Sequence, residues 1–264
     1  MQQTRPLVIK YGGNAMVLGA DDPTLDEIAL LHAGGERIVL VHGGGPMIDA
    51  ELRAAGLGQT RLAGLRLTDA AALAVVERIL GASVNKALVR ALDRRGVRAV
   101  GISGQDGGML RASYAQVDGR SLGFVGDVSA VETTLIEVIL AAGMLPVIAP
   151  LALDPTSESA LNVNADSAAG AIAGALGARA YVVITNVVRV LRDIADPASG
   201  LARVTVREAA AFVADGTFAD GMRPKILGAL DALERGAVRA IVTGADHGAI
   251  ADALAGAGTE IVRM

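Results

Sequence analysis

Cysteine is absent from this 264-residue chain, and so is tryptophan; three tyrosines and three phenylalanines make up its aromatic complement. Without thiols there are no disulfides, no thiolate nucleophile and no cysteine-ligated metal. The histidines His32, His42 and His247 stand far apart and lack metal-ligand spacing, so no metal site on the protein is expected. A net charge of −4 and the scarcity of rings argue against nucleic-acid binding, which needs basic excess and stacking platforms. No apolar run approaches the ~18 residues of a membrane span. A strand pattern starts so early that no secretory leader fits before it. A soluble, cytoplasmic protein with a small-molecule partner is expected.

What the chain has in plenty is apolar residues, 52% by count, enough for a large core. Short continuous runs of Val, Ile and Leu predict strands at 6–10, 37–41, 97–102, 145–148, 180–185, 239–242 and 260–262. Helical periodicity predicts helices at 25–32, 47–55, 69–80, 85–94, 131–142, 166–176, 205–214, 221–235 and 247–254. Residues 108–128 are polar and glycine-rich, and read as a β-hairpin. Apolar strands alternating with helices indicate an α/β fold with a parallel sheet covered on both faces. Two lobes sharing that sheet are expected to divide near 150–160.

Two glycine-rich turns stand where a strand hands over to a helix. Lys10-Tyr11-Gly12-Gly13-Asn14 closes the first strand, and His42-Gly43-Gly44-Gly45-Pro46 closes the second. Glycine lets backbone N–H groups approach an anion, and a helix N-terminus adds positive dipole. Pro46 fits the first turn of a helix, where its missing N–H does no harm. Neither turn matches the P-loop or the dinucleotide-binding pattern. Two facing nests with Lys10 between them suit phosphoryl transfer; the plainer alternative is a strand-end lysine reaching solvent.

Three further clusters carry candidate chemistry. Arg66 precedes the capping residues Thr68 and Asp69, and its guanidinium suits bidentate capture of a carboxylate, although a surface arginine is the commoner case. Asn162 and Asn164 share one face of a short strand that ends at Asp166, which is either a simple helix cap or part of a polar cluster needing partners. Lys225 follows Pro224 near a helix N-terminus, where the dipole opposes a cation unless an anion binds nearby.

Taken in order, KYGGNAM (10–16), VHGGGPMID (41–49), GLRLTD (64–69), VNKALV (84–89), GISGQDG (101–107), GFVGDV (123–128), LNVNADSAA (161–169) and DGMRPK (220–225) resemble the amino acid kinase family, most closely its acetylglutamate branch. The resemblance implies a three-layer αβα sandwich with a mostly parallel central sheet. It implies an N-terminal lobe, 1–155, for amino-acid substrate binding and dimerisation, and a C-terminal lobe, 156–264, for ATP. The implied reaction moves the γ-phosphoryl group of ATP to the side-chain carboxylate of N-acetyl-L-glutamate, a step of arginine biosynthesis, with Mg²⁺ carried by the nucleotide phosphates. By motif position, Lys10 and Lys225 stabilise the phosphoryl group in transfer and Asp166 holds both lysines. Gly44 and Gly45 bind the reacting end of the acceptor, and Arg66 and Asn162 its α-carboxylate and amide end. Gly12, Gly13, Asn186 and Arg189 fall at nucleotide-contacting positions.

One stretch departs from the family pattern: Asn186-Val187-Val188-Arg189 stands where aspartate-valine-x-glycine is usual. Asn186 and the ending Gly256-Ala257-Gly258-Thr259 are similar to relatives acting on carrier-protein-linked aminoadipate or glutamate in lysine biosynthesis. That substrate class is the alternative reading, and a nucleotide-binding regulator without catalysis is a third. Arginine-inhibited members of the family carry an extra N-terminal helix; only nine residues precede Lys10, so a homodimer without that feedback is expected.

Overall fold

The structure, a computed structural model, describes residues 4–16, 21–58, 60–62, 64–157, 159–219 and 221–263. Residues 1–3 of the N-terminal segment and Asp220 of the last motif lie outside them.

The chain runs through β1 (Leu7–Tyr11), α1 (Pro23–Ala33), β2 (Ile38–His42), α2 (Gly45–Ala54), the short hairpin β3 (Arg61–Leu62) and β4 (Leu65–Arg66), α3 (Ala70–Glu77) and α4 (Asn85–Asp93). It continues with β5 (Ala99–Ser103), the long hairpin β6 (Leu110–Val117) and β7 (Arg120–Val131), α5 (Thr134–Ala141), β8 (Leu145–Ala149), β9 (Leu151–Leu153) and β10 (Ala160–Val163). The remainder comprises α6 (Ala165–Ala175), β11 (Ala180–Ile184), β12 (Val190–Leu191), β13 (Gly200–Leu201), β14 (Arg203–Thr205), α7 (Val206–Ala214), α8 (Met222–Arg235), β15 (Ala240–Thr243), α9 (Ala249–Leu254) and β16 (Thr259–Val262).

Eight strands form the central sheet in the order β14-β16-β15-β11-β1-β2-β8-β5. The described pairings are parallel except β15 with β16. β1 shows how residue alternation builds the layers. Leu7, Ile9 and Tyr11 join the core formed with α1–α4 and α9, whereas Val8 joins the core formed with α5–α8. Lys10 lies two residues after Val8 and therefore faces α6. The expected three-layer sandwich is present, with two apolar cores separated by one sheet. Among the described residues, no helix is long and apolar enough to cross a membrane.

Two expectations change. The helices anticipated at 69–80 and 85–94 form one continuous rod, because a π-helical stretch, Arg78–Val84, bridges α3 to α4 with right-handed helical backbone on both sides. The burial of Ile79, Leu80 and Val84 holds the bridging segment in place. The hairpin read at 108–128 is present as β6–β7, but it does not stand alone: β9 and β10 close it into a four-stranded barrel. β10 delivers the chain to the start of α6, and so the barrel anchors one wall of the site.

Candidate active site

β1 and β2 are parallel neighbours with Lys10 opposite Val41 and Tyr11 opposite His42, so the two glycine turns emerge side by side. They touch backbone to backbone: a Cβ on Gly12 would fall 2.7 Å from the Gly43 nitrogen and 2.8 Å from its Cα. Gly13 adopts φ 69°, a region that disfavours a side chain. A Cβ on Gly44 would come 2.7 Å from Leu80 Cδ2. Close packing thus accounts for several of these glycines before any ligand is considered. α2 begins at Gly45 without a side-chain cap, so its first-turn N–H groups need other partners.

Lys10 is 4% exposed and forms an ion pair with Asp166, Nζ to Oδ1 3.0 Å, out of hydrogen-bond alignment. Asp166 does not cap α6. Asn164 does, accepting from the Asp166 and Ser167 N–H groups at 2.8 and 3.2 Å. This settles the choice left open by the sequence: the carboxylate is free of capping duty and turned to the lysine. The Asp166 carbonyl accepts from the buried Tyr181 hydroxyl at 3.0 Å. Burial, aided by the charges of Asp166 and Asp231, raises that phenol well above its ordinary value and keeps it a donor.

Lys225 reaches the same centre from α8. Three glycines let α6 and α8 pack unusually close: a Cβ on Gly170 would meet the Gly228 carbonyl oxygen, one on Gly174 would meet Arg235 Cβ, and one on Gly228 would lie 2.5 Å from the Asp166 carbonyl oxygen. The Lys225 ammonium donates to the Gly221 carbonyl at 2.8 Å. Burial lowers its pKa, Asp166 pulls it back up, and Lys10 lowers it further. Lys10, Asp166 and Lys225 therefore sense one another's charge, with two cations against one anion.

Arg66, on β4, is buried rather than at the surface, and its Nη1 sits 2.5 Å from Asp49 Oδ1 of α2 as an ion pair. Arg61, directly across the hairpin, meets the other oxygen of Asp49 at 3.1 Å. Burial alone would raise the Asp49 pKa, but the two arginines outweigh it and hold the carboxyl below its ordinary range. Asn162 is tied to the same corner: its amide donates to Thr68 Oγ1 at 3.3 Å, and Thr68 donates to the Arg66 carbonyl at 2.9 Å.

A cleft of about 1180 Å³ opens beside these groups, lined by Asp49 and Arg61 but not by Gly44, Arg66 or Asn162. Gly45, Pro46, Asp49 and Arg61 line one end, Thr185, Asn186, Arg192 and Asp193 line the other, and Lys225 stands in the lining with Gly12 and Gly13. Lys10 and Asp166 sit behind it. Asn186 is exposed and accepts from Thr185 Oγ1 at 3.2 Å. Arg189 is exposed, is absent from the cleft lining, and lies against the Gly200 backbone. Asp49, Tyr181 and Gly228 had not been singled out from the sequence; the small-residue spacing Gly170-xxx-Gly174 was the available hint of a close helix crossing.

The description "amino acid kinase family" matches residues 5–244. A curated acetylglutamate kinase of Symbiobacterium thermophilum is 40% identical over 243 residues, covering 89% of this chain and 82% of that protein. One from Acinetobacter baumannii is 39% identical over 250 residues, covering 89% and 80%. The crystal structure of a Giardia lamblia carbamate kinase bound to AMP-PNP covers the whole of both chains with a TM-score of 0.76 at 18% identity, a likeness of fold. Paired glycine turns, a buried lysine–aspartate pair and a second lysine across the cleft are thus found in a chain that matches one family over nearly its whole length: it belongs to the amino acid kinase family.

Proposed function

We propose that this chain transfers the γ-phosphoryl group of ATP to the side-chain carboxylate of N-acetyl-L-glutamate. The observation that carries the reading is the lysine–aspartate–lysine centre beside a cleft with Asp49 and Arg61 at one end, in a chain 38–40% identical to curated acetylglutamate kinases over most of its length. The lobe before residue 155 supplies the acceptor end and the lobe after 156 the nucleotide end. Their strands occupy opposite halves of the sheet, with β1 beside β11 at the seam.

The acceptor carboxylate is ionised at neutral pH and needs no general base. One of its oxygens forms a bond to the γ-phosphorus as the bond to the bridging oxygen breaks, and ADP leaves. Negative charge spreads over the transferring oxygens, and the protein's contribution is alignment and charge neutralisation. Lys10 and Lys225 face that charge, and Asp166 orients both lysines. N–H groups of the Gly44–Gly45 turn hold the acceptor carboxylate, and Gly12 and Gly13 approach the phosphates. Arg66 and Asn162 bind the α-carboxylate and amide end, and Asn186 contacts the nucleotide. The cations and amides of this centre fit anionic phosphates, so Mg²⁺ enters on the nucleotide, where it neutralises phosphate charge. The acceptor end carries two arginines against Asp49, a net single positive charge that fits one free carboxylate.

The test is ATP-dependent hydroxamate formation, run with N-acetyl-L-glutamate, glutamate, aspartate and carrier-linked aminoadipate as acceptors. Turnover should be highest with free N-acetyl-L-glutamate. A preference for the carrier conjugate, or ATP binding without transfer to any acceptor, would sink the proposal.

A further inference from the structure

Behind the second glycine turn lies a buried polar dyad with no part in the chemistry described so far. His42 ends β2 and is fully buried; Asn85 opens α4 and is fully buried. The Asn85 amide nitrogen lies 2.9 Å from the Val147 carbonyl, 3.2 Å from the Ile102 carbonyl and 3.2 Å from His42 Nε2. Its Oδ1 accepts from Lys86 Nζ at 3.1 Å. Two carbonyl acceptors on one side and an ammonium donor on the other fix which way the amide is turned. Nδ2 shares its two N–H groups among three acceptors and cannot itself accept, so His42 Nε2 faces it without a proton. The proton of the neutral ring is therefore on Nδ1, which donates to the Gly43 carbonyl at 2.9 Å.

That last bond has a geometric consequence. The peptide linking Gly43 to Gly44 is planar and trans, so its C=O and N–H point in opposite directions. Anchoring the Gly43 carbonyl on the buried ring turns the Gly44 N–H away from the ring. The residues that follow, Gly45 and Pro46, line the cleft. Glycine offers no side chain to hold this plane, and three in succession leave the turn free to rotate unless something outside it holds it.

Resting on the acceptor assignment above, we propose that His42 and Asn85 are positioning residues: they lock the Gly43–Gly44 peptide so that the Gly44 N–H is presented to the acceptor carboxylate. The dyad ties the turn to β5 and β8 through Asn85, so the aim of the N–H is set by the rigid sheet rather than by the loop.

The wild-type tautomer is read first, by ¹⁵N NMR of the imidazole rings, tractable with three histidines in the chain. His42 should carry its proton on Nδ1; a proton on Nε2 would overturn the proposal. In steady-state kinetics, His42→Leu should lower kcat/KM for N-acetyl-L-glutamate about 10- to 100-fold, the scale of a misplaced reacting group, with the KM for ATP changed less than twofold. His42→Asn keeps a donor near the Nδ1 position and should recover most of the loss. Unchanged acceptor kinetics in His42→Leu, or an equal loss toward ATP and acceptor, would refute positioning. If the wild-type protein turns over no N-acetyl-L-glutamate, the acceptor assignment fails. The tautomer, and the shift of the Gly44 amide resonance in His42→Leu, then still decide whether the lock exists.

Discussion

The two ends of the cleft, proposed above as the acceptor end and the nucleotide end, are built differently. At the proposed acceptor end Arg66 and His42 are buried, Arg66 paired with Asp49 and His42 between Asn85 and Gly43, and the half-buried Asn162 donates to Thr68. At the nucleotide end they are exposed and mostly bonded within their own loop. Asp193 and Asp196 accept from backbone N–H groups two residues on, and Ile194 between them is 93% exposed. In a low-dielectric setting a fixed dipole is worth several times what it is worth at the surface. On this reading the acceptor end is the more tightly held of the two, and the nucleotide end is held mainly by bonds within its own loop. The lysine centre lies between the two and belongs to both.

The largest effects should come from that shared centre. Lys225→Ala removes one cation from the transferring group and should lower kcat roughly 10²- to 10³-fold, with smaller changes in either KM. Lys10→Ala should do the same and also strand a buried carboxylate at Asp166, a loss of about 3–5 kcal/mol of stability. Thermal unfolding beside steady-state kinetics separates the two: the Lys225 variant should melt close to wild type and the Lys10 variant well below it. A wild-type kcat in either variant would remove its lysine from the mechanism. Equal melting losses would mean that Lys225, too, is needed to balance the buried Asp166 charge.

The change in the acid limb of stability on replacing His42 probes the buried ring behind the second glycine turn. Burial holds the His42 pKa at about 4, with the Gly43 hydrogen bond working against the shift and the nearby Lys86 charge adding to it. The unfolded chain takes up this proton near the ordinary value of 6.5, whereas the folded protein resists it until about pH 4. The stabilisation is therefore complete above pH 6.5 and is lost as pH falls toward 4, by up to about 3 kcal/mol. Urea unfolding between pH 7 and 4 should show this slope in the wild type and a shallower one in His42→Asn. Identical slopes would mean that the ring is not held neutral, and the contrast between a locked and an open end would weaken.

How far the sequence revealed these regions follows the same division. Lys10 was legible because a cation followed by two glycines is a poor strand end unless an anion is near, and Pro224 placed Lys225 in the first turn of α8. The alternation within β1 then decided which face Lys10 takes. Illegible were the contacts that join distant segments: Asp49 to Arg66, Asn85 to His42 across 43 residues, Tyr181 to the start of α6. Each of those residues has an ordinary local role, on a helix face or in a strand, and only the packing of the layers makes them partners. Asn164 illustrates the limit. Alternation put it on a strand face beside Asn162, but the strand stops one residue earlier, and capping α6 satisfies two N–H groups that would otherwise lack partners.

The smallest effects should come from Asn186 and Arg189, the positions where the chain departs from its family's pattern. Arg189 lies outside the cleft lining, so Arg189→Ala should leave stability within about 0.5 kcal/mol of wild type and the KM for ATP within about threefold. Asn186 is in the lining, and Asn186→Asp restores the usual acid while keeping the acceptor that Thr185 Oγ1 uses. At an exposed rim a unit charge about 4 Å from a phosphate oxygen costs about 1 kcal/mol in water. The KM for ATP should therefore rise less than tenfold, and the rise should shrink as salt is added. A salt-independent rise of 100-fold would show a position as desolvated as Arg66. The nucleotide end would then be as tightly set as the acceptor end, and the departure at Asn186 would be a requirement of this chain's nucleotide site rather than a tolerated change at its edge.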